Sequence, residues 1–79
     1  MGVPKDEVIK ELRKVIDPET GIDVVSMGLI RGVEVNGGNV KVKFRPTSPF
    51  CPLAWYLVAM IEEACKRVKG VEKVEVVYD

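Results

Sequence analysis

Residues 33–42 read VEVNGGNVKV, in which two runs alternate valine with polar or charged residues around a central Gly37-Gly38 pair. Asparagine and glycine tolerate the positive φ angles that a two-residue turn demands, so the stretch predicts a β-hairpin with Gly37-Gly38 as its loop. In this register the four valines lie on one side, while Glu34 faces Lys41 on the other. The whole hairpin, residues 29–46, therefore predicts the centre of a sheet with one apolar face.

The predicted register fails one step further from the turn. There Arg31 would oppose Phe44 on the apolar face. Glycine within a strand often marks a bulge, which adds one residue to one of the two strands. We therefore expect a bulge near Gly32 that returns Ile30 to the core side.

An amphipathic helix is predicted on each side of the hairpin. Residues 4–16 place apolar side chains at helical spacing, namely Val8, Ile9, Leu12, Val15 and Ile16. A second helix is expected from Pro52 to about Lys69, with an apolar stripe of Leu53, Leu57, Met60, Ile61, Ala64 and Val68. Gly70 is its expected left-handed C-cap, and the alternation in residues 71–78 predicts a third strand.

The element order α-β-β-α-β predicts the α+β class. A chain of 79 residues has room for one domain, which we expect to span residues 1–79. If the strands on either side of the second helix are parallel, that helix forms a crossover between them. The expected architecture is a two-layer α/β domain with a small mixed sheet and both helices on one face. The other face is then either solvated or covered by a subunit.

The charge balance limits the classes of partner. Twelve basic residues cancel twelve acidic ones, whereas nucleic acids and anionic membranes attract a concentrated basic surface. Lys41, Lys43 and Arg45 form a basic stripe on the outer face of the hairpin, which we interpret as an ordinary solvated face. The sequence has neither a signal-peptide stretch nor a run of about 18 apolar residues. We expect a cytoplasmic protein that binds neither nucleic acid nor a membrane.

A proline-rich segment, residues 46–52, precedes the second helix and ends in Cys51-Pro52. Each proline fixes its own φ and favours extended backbone in the residue before it, so the segment should be stiff. Pro52 suits the first helical position, which makes Cys51 the N-cap. Free backbone N–H groups and the helix dipole stabilise a thiolate there. The residues alone leave two interpretations of Cys51 open, a reactive or metal-binding sulfur and a small buried hydrophobe.

Cys65 is the other cysteine, and we interpret it as an inert packing residue beside Ala64. On one helix it would lie about 20 Å from Cys51, at ~1.5 Å per residue, which is far beyond disulfide reach. The chain has no histidine, and so it lacks the ordinary general base near neutral pH and any histidine-based zinc site. These features favour a protein that is not an enzyme.

The segment Asp17-Pro18-Glu19-Thr20-Gly21 is rich in turn formers and is expected to end the first helix. Its two carboxylates, Asp17 and Glu19, suit metal ligands or an acid–base pair. The alternative, which such turns favour, is that Asp17 hydrogen-bonds the turn backbone while Glu19 is solvated.

The first half of the second helix is apolar almost all round. Trp55, Tyr56, Val58 and Ala59 extend its apolar surface beyond the core stripe. Such a surface indicates contact with a second subunit, the first helix or a partner protein. We expect a homodimer, or docking onto a client protein, through the Trp55/Tyr56 side.

Several short motifs follow one another along the chain, namely VIDPE at 15–19, GIDVV at 21–25, MGLI at 27–30, Thr47 with Cys51-Pro52, and GVEKV at 70–74. This ordered set, which spans nearly the whole chain, resembles the SufT/PaaD-like family of small iron–sulfur cluster assembly proteins. The eukaryotic relatives of that family act in cytosolic cluster targeting.

The resemblance implies an α/β assembly factor with Cys51, Thr47, Asp17 and Glu19 at its functional positions. It also implies partners among iron–sulfur assembly proteins and apo client proteins, with iron or an iron–sulfur cluster contacting Cys51 transiently. Two cysteines fall short of the usual ligand set of a thiolate cluster, so stable carriage by this domain alone is not expected. Two alternatives stay open. One is an accessory subunit of a phenylacetate-type ring oxygenase system, and the other is a thiol-dependent enzyme with Cys51 as nucleophile, against which the lack of histidine counts.

Overall fold

The computed structural model describes residues 2–46 and 54–78 of the chain. They form α1 (Lys5–Leu12), β1 (Ile30–Asn36), β2 (Asn39–Phe44), α2 (Ala54–Lys66) and β3 (Lys73–Tyr78). The predicted order α-β-β-α-β and the α+β class are confirmed. Within these ranges no helix has the length and apolar character needed to cross a lipid bilayer.

The hairpin of β1 and β2 is antiparallel and has the predicted register, with Glu34 opposite Lys41. The register shifts between Ile30 and Gly32, and Ile30 lies opposite Phe44. The bulge predicted near Gly32 is therefore confirmed. It keeps a charged side chain away from Phe44, which is fully buried in the core.

Strand β2 lies at the centre of the sheet, whose order is β1-β2-β3. β3 pairs with β2 in parallel, so that Val42 lies opposite Val76 and Lys41 opposite Glu75. A parallel pair needs a crossover connection, and α2 lies within that connection. The segment that holds Cys51 therefore connects the end of the central strand to the helix that covers the sheet.

The valine face of the sheet carries the hydrophobic core, and both helices cover this face. α1 contacts β1 and α2, while α2 contacts β3. Along β2 the buried side chains alternate with more exposed ones, as expected for a sheet covered on one face. The largest fully buried side chains include Phe44, Leu12, Leu57, Ile61, Val8 and Val15.

Helix α1 is shorter than the predicted span of residues 4–16, because it ends at Leu12. Val15 is buried as predicted, but its carbonyl accepts a hydrogen bond from the Val24 N–H at 3.0 Å. Ile16 forms a β-bridge with Asp23. The helical prediction beyond Leu12 was wrong because the Lys14 and Val15 N–H groups donate to carbonyls only three residues back, after which the chain pairs with residues 23–24 instead of continuing the helix.

The connection from α2 to β3 also differs from the prediction. α2 ends at Lys66 rather than near Lys69, and β3 begins at Lys73 rather than Val71. The backbone between them makes hydrogen bonds to carbonyls three residues back, a tighter geometry than the α-helix. Gly70 has a φ of 96°, which confirms the predicted left-handed residue.

We predict that Gly70→Val lowers the free energy of unfolding by more than about 1 kcal/mol, since a β-branched residue is strongly disfavoured at positive φ. The penalty is one of backbone conformation. A Cβ at this position would meet Val3 Cγ2 at 3.7 Å, an ordinary contact distance.

Thermal or urea denaturation measures this difference. Gly70→Asn is the matched control and should retain most of the stability, because asparagine tolerates the left-handed region. A melting temperature of Gly70→Val equal to that of the unmodified chain would show that the positive φ carries no energetic weight.

Candidate functional site

The four predicted site residues divide into two groups. Asp17 and Glu19 belong to the described part of the chain, whereas Thr47 and Cys51 lie outside the described residues. The geometry of the candidate site is therefore built from the Asp17 turn and from the elements on either side of residues 47–53.

Asp17 holds the turn that follows α1. Its carboxylate oxygen Oδ1 accepts a hydrogen bond from the Glu19 N–H at 2.8 Å. Its backbone N–H donates to the Ile22 carbonyl at 2.9 Å, and its own carbonyl accepts from the Gly21 N–H at 2.8 Å. Asp17 is only 7% exposed, so these bonds operate largely away from water.

Glu19 is exposed to solvent at the tip of this turn. Of the interpretations that the sequence left open, hydrogen bonding of Asp17 to the turn backbone is the one observed in the structure. Glu19 is the carboxylate of the pair that remains accessible to a metal ion or a partner.

A second turn follows directly and uses residues that were not among the predicted site residues. Asp23 Oδ2 accepts a hydrogen bond from the Ser26 N–H at 3.0 Å. Hydrogen bonds from Ser26 hold the pKa of the Asp23 carboxyl below its ordinary value. The hydroxyl of Thr20 lies 3.3 Å from the sulfur of Met27, which links the tips of the two turns. An aspartate followed three residues later by serine was the available sequence signal for this second turn.

Backbone hydrogen bonds connect the two turns to the end of β2. The Arg45 N–H donates to the Leu29 carbonyl at 2.8 Å, and the Leu29 N–H donates to the Val24 carbonyl at 3.1 Å. Val24 in turn donates to Val15, two residues before Asp17. A continuous series of backbone contacts therefore joins the Asp17 turn to Arg45, two residues before Thr47.

On the other side of residues 47–53, the first turn of α2 exposes aromatic side chains. Trp55 is 72% exposed and Tyr56 is 36% exposed. Their rings contact each other edge to face, with centroids 6.4 Å apart. Ala59, one turn further along the helix, is also exposed. We call Trp55, Tyr56 and Ala59 the aromatic patch.

Cys65 lies in the interior against the core and is fully buried. Burial raises the pKa of its thiol to about 11, and the nearby charge of Glu62 acts in the same direction. Such a thiol is almost entirely protonated near neutral pH and is a poor nucleophile. The interpretation of Cys65 as an inert packing residue is consistent with this environment.

The uncovered face of the sheet carries charges of both signs. A shallow cavity of about 340 Å³ lies over this face, lined by Glu34, Asn36, Asn39, Val40, Lys41, Lys73 and Glu75. Lys41 lies between Glu34 and Glu75 across the strands. Lys43 Nζ lies 3.9 Å from Glu34 Oε2, so two of the three residues of the predicted basic stripe alternate with acidic side chains. An alternating surface of this kind does not concentrate the positive charge that a nucleic acid would need.

Metal-binding side chains do not cluster in residues 2–46 and 54–78. Nowhere in these ranges do three or more histidine, cysteine, aspartate or glutamate side chains come together in a way that could hold an ion. Within the described residues, Glu19 is thus an exposed single ligand rather than part of a complete site.

The chain is similar to several proteins. It is 46% identical over 78 residues to an uncharacterised protein of Methanocaldococcus jannaschii, covering 98% of this chain and 82% of that protein. It is 44% identical over 71 residues to an iron–sulfur cluster carrier protein of Synechocystis, covering 90% of this chain but only 20% of the carrier. An Fe–S protein maturation auxiliary factor of Porphyromonas gingivalis is 34% identical over 73 residues, with 91% of this chain and 70% of the factor covered.

The fold is also shared with solved structures. The crystal structure of a domain of unknown function from Bacillus anthracis superimposes with a TM-score of 0.88 at 30% sequence identity, covering 95% of this chain and 73% of that one. A family profile described as iron–sulfur cluster assembly protein matches residues 5–76. This match includes both helices, the first two strands, most of β3 and the Asp17 turn, and on this basis the chain belongs to the iron–sulfur cluster assembly protein family.

Proposed function

We propose that the chain is a non-enzymatic factor that assists the assembly of iron–sulfur clusters or their transfer to client proteins. The observation that carries this proposal is the family match over residues 5–76, which covers nearly all of the chain. The similar proteins of Synechocystis and Porphyromonas gingivalis are named as a cluster carrier and a maturation auxiliary factor, which are names of accessory proteins rather than of catalysts.

Cys51 is the proposed contact for iron, a cluster or a client cysteine. The other sulfur, that of Cys65, is buried and its thiol is held protonated, so it is unsuited to this task. The sequence predicts Cys51 as the N-cap of the second helix, and a cysteine in that position meets free backbone N–H groups, which favour the thiolate that binds metals. Because a single thiolate completes no ordinary cluster site, the contact is transient and the remaining ligands come from the partner.

The other predicted site residues have supporting roles in this proposal. The series of backbone hydrogen bonds from Arg45 to Val15 supports a position of the Thr47 segment beside the Asp17 turn. Thr47 then orients the segment by hydrogen bonding, Asp17 maintains the shape of the turn, and Glu19 presents an exposed carboxylate to the iron or to the partner.

Docking in this proposal uses the aromatic patch. Leu57 and Ile61 are buried in the core and pack α2 on the sheet. Trp55 is therefore not needed for this packing. The expected occupants are an iron–sulfur assembly protein, an apo client protein or a second copy of the chain.

We predict that iodoacetamide near neutral pH alkylates Cys51 much faster than Cys65 in the folded protein. The Cys65 thiol, with a pKa of about 11, is almost entirely protonated and is buried from the reagent. Peptide mapping of the alkylated protein measures the two rates, and the difference should disappear in denaturant. Faster labelling of Cys65 would contradict the proposed role of Cys51.

We predict that Cys51→Ala abolishes cluster handling without unfolding the protein. Anaerobic transfer of a cluster from a loaded cluster carrier to an apo-ferredoxin, with and without the added chain, measures the effect. Cys65→Ala is the matched control, since it removes the other sulfur and should leave transfer intact. Equal transfer by Cys51→Ala and the unmodified protein would exclude the proposed mechanism.

Asp17 and Glu19 are predicted to respond differently to substitution. Asp17→Ala should lower the free energy of unfolding by about 1 to 2 kcal/mol, because the Glu19 N–H loses a charged acceptor in a part-buried hydrogen bond. Glu19→Gln should leave stability unchanged, since its side chain is exposed, but should slow cluster transfer. Thermal melts and the same transfer assay separate the two effects. Unchanged transfer by Glu19→Gln would show that this carboxylate is merely solvated.

A further inference from the structure

Trp55 is the most exposed large hydrophobic side chain in the described part of the chain, at 72%. Single exposed hydrophobic residues are common on proteins and need no explanation. Here, however, a tryptophan and a tyrosine are neighbours with their rings in contact, and an exposed alanine follows one helical turn later. Aromatic residues grouped in this way are enriched at the centres of protein interfaces.

The size of the aromatic patch limits what it binds. From the exposed fractions of Trp55 and Tyr56, their rings offer on the order of 250 Å². A stable interface between separate proteins buries roughly 800 Å² on each partner. The patch alone is therefore too small to hold two free copies of this chain together as a permanent dimer.

A small interface is sufficient when the two partners belong to one polypeptide. In the Synechocystis carrier, the region similar to this chain is only 20% of a longer protein. A domain attached to the rest of its chain experiences an effective concentration of roughly millimolar, at which weak contacts form. The region similar to α2 in such a protein has the rest of the same polypeptide always within reach.

We infer that the aromatic patch docks onto a separate protein that is similar to the four-fifths of the cluster carrier lying outside the matched region. The inference rests on the proposed function, and it assigns the partner for the docking surface. The contact made by this chain is an intermolecular version of the contact within the carrier, and its small area makes it transient. Glu63 lies two helical turns after Trp55 and is exposed on the same side of α2. Lys66 and Arg67, one turn further along, are exposed as well, so the charge beside the patch is mixed and the complementary surface is defined by an apolar pocket.

The binding test uses the intact 79-residue chain, labelled with nitrogen-15. The probe is the Synechocystis carrier produced without its matched region, with circular dichroism as the check of folding. Because the chain has one tryptophan, a single indole N–H signal reports on the patch. We expect the probe to shift this signal and the α2 amide signals, in the absence of iron.

Trp55→Ala should weaken binding at least tenfold, as expected for an aromatic residue at the centre of an interface. Tyr78→Ala is the matched control, because Tyr78 is also aromatic and is 63% exposed but lies on β3 rather than on α2. It should bind as the unmodified chain does. A folded probe that leaves the indole signal unchanged would overturn the inference, as would equal binding by Trp55→Ala.

A second experiment applies whether or not the isolated probe folds. In a chimeric carrier, this chain replaces the matched region, and hydrogen exchange is measured on the peptide covering residues 54–66. This peptide should exchange more slowly in the chimera than in the free chain, and Trp55→Ala should remove the difference. Equal exchange in the chimera and the free chain would overturn the inference. Concentration-dependent shifts of the chain alone, together with a dimer in light scattering, would assign the patch to a second copy instead.

The inference and the proposed function fail separately. Cys51→Ala should bind the probe as well as the unmodified chain, because binding is measured without iron and depends on α2. If Cys51→Ala binds the probe but no longer supports cluster transfer, both the inference and the proposed function are supported. If Cys51→Ala binds the probe and still supports cluster transfer, only the proposed function is removed.

Discussion

The double pairing of strand β2 is the constraint on which the rest of the structure depends. β2 pairs antiparallel with β1 and parallel with β3, and its Val40, Val42 and Phe44 are buried in the core. The antiparallel pair needs only a short turn, but the parallel pair requires a long connection over one face. That connection contains both α2 and the segment with Cys51. The sheet topology is thus the reason why a cysteine segment follows the central strand and precedes the covering helix.

The turns between α1 and β1 form the second organised part of the structure. They contain no regular element, yet their backbone groups are paired with one another and with the end of β2. Asp17 contributes the side-chain bond that shapes the first turn, and Asp23 does the same for the second. An irregular segment held in this way can present an exposed group such as Glu19 in a defined position. Rigid support for a short polar loop is typical of binding sites in small domains.

The two ends of α2 have different environments. Its first turn exposes aromatic side chains, whereas its last turns bury Ile61, Ala64 and Cys65 against the sheet. The same helix therefore provides packing at one end and an uncovered apolar surface at the other. In a domain this small, every apolar side chain on the surface is one fewer in the core. We therefore attribute the exposed apolar side chains at the start of α2 to binding.

The sequence by itself determined the hairpin register, the bulge near Gly32 and the left-handed conformation of Gly70. Turn residues and the alternation of apolar side chains specify the first two, and a glycine that follows a helix specifies the third. It also predicted the role of Asp17 in its turn as one of two interpretations, and the exposure of Glu19. Only the tertiary structure decided that α1 ends at Leu12, although the apolar spacing continues to Ile16. The carbonyl of Val15 has a partner, Val24, that lies outside any helical pattern. Local periodicity describes which side chains are apolar, but it does not show where the backbone leaves the helix. After Leu12 the chain turns and pairs with residues 23–24, and these backbone hydrogen bonds are not visible in the apolar spacing.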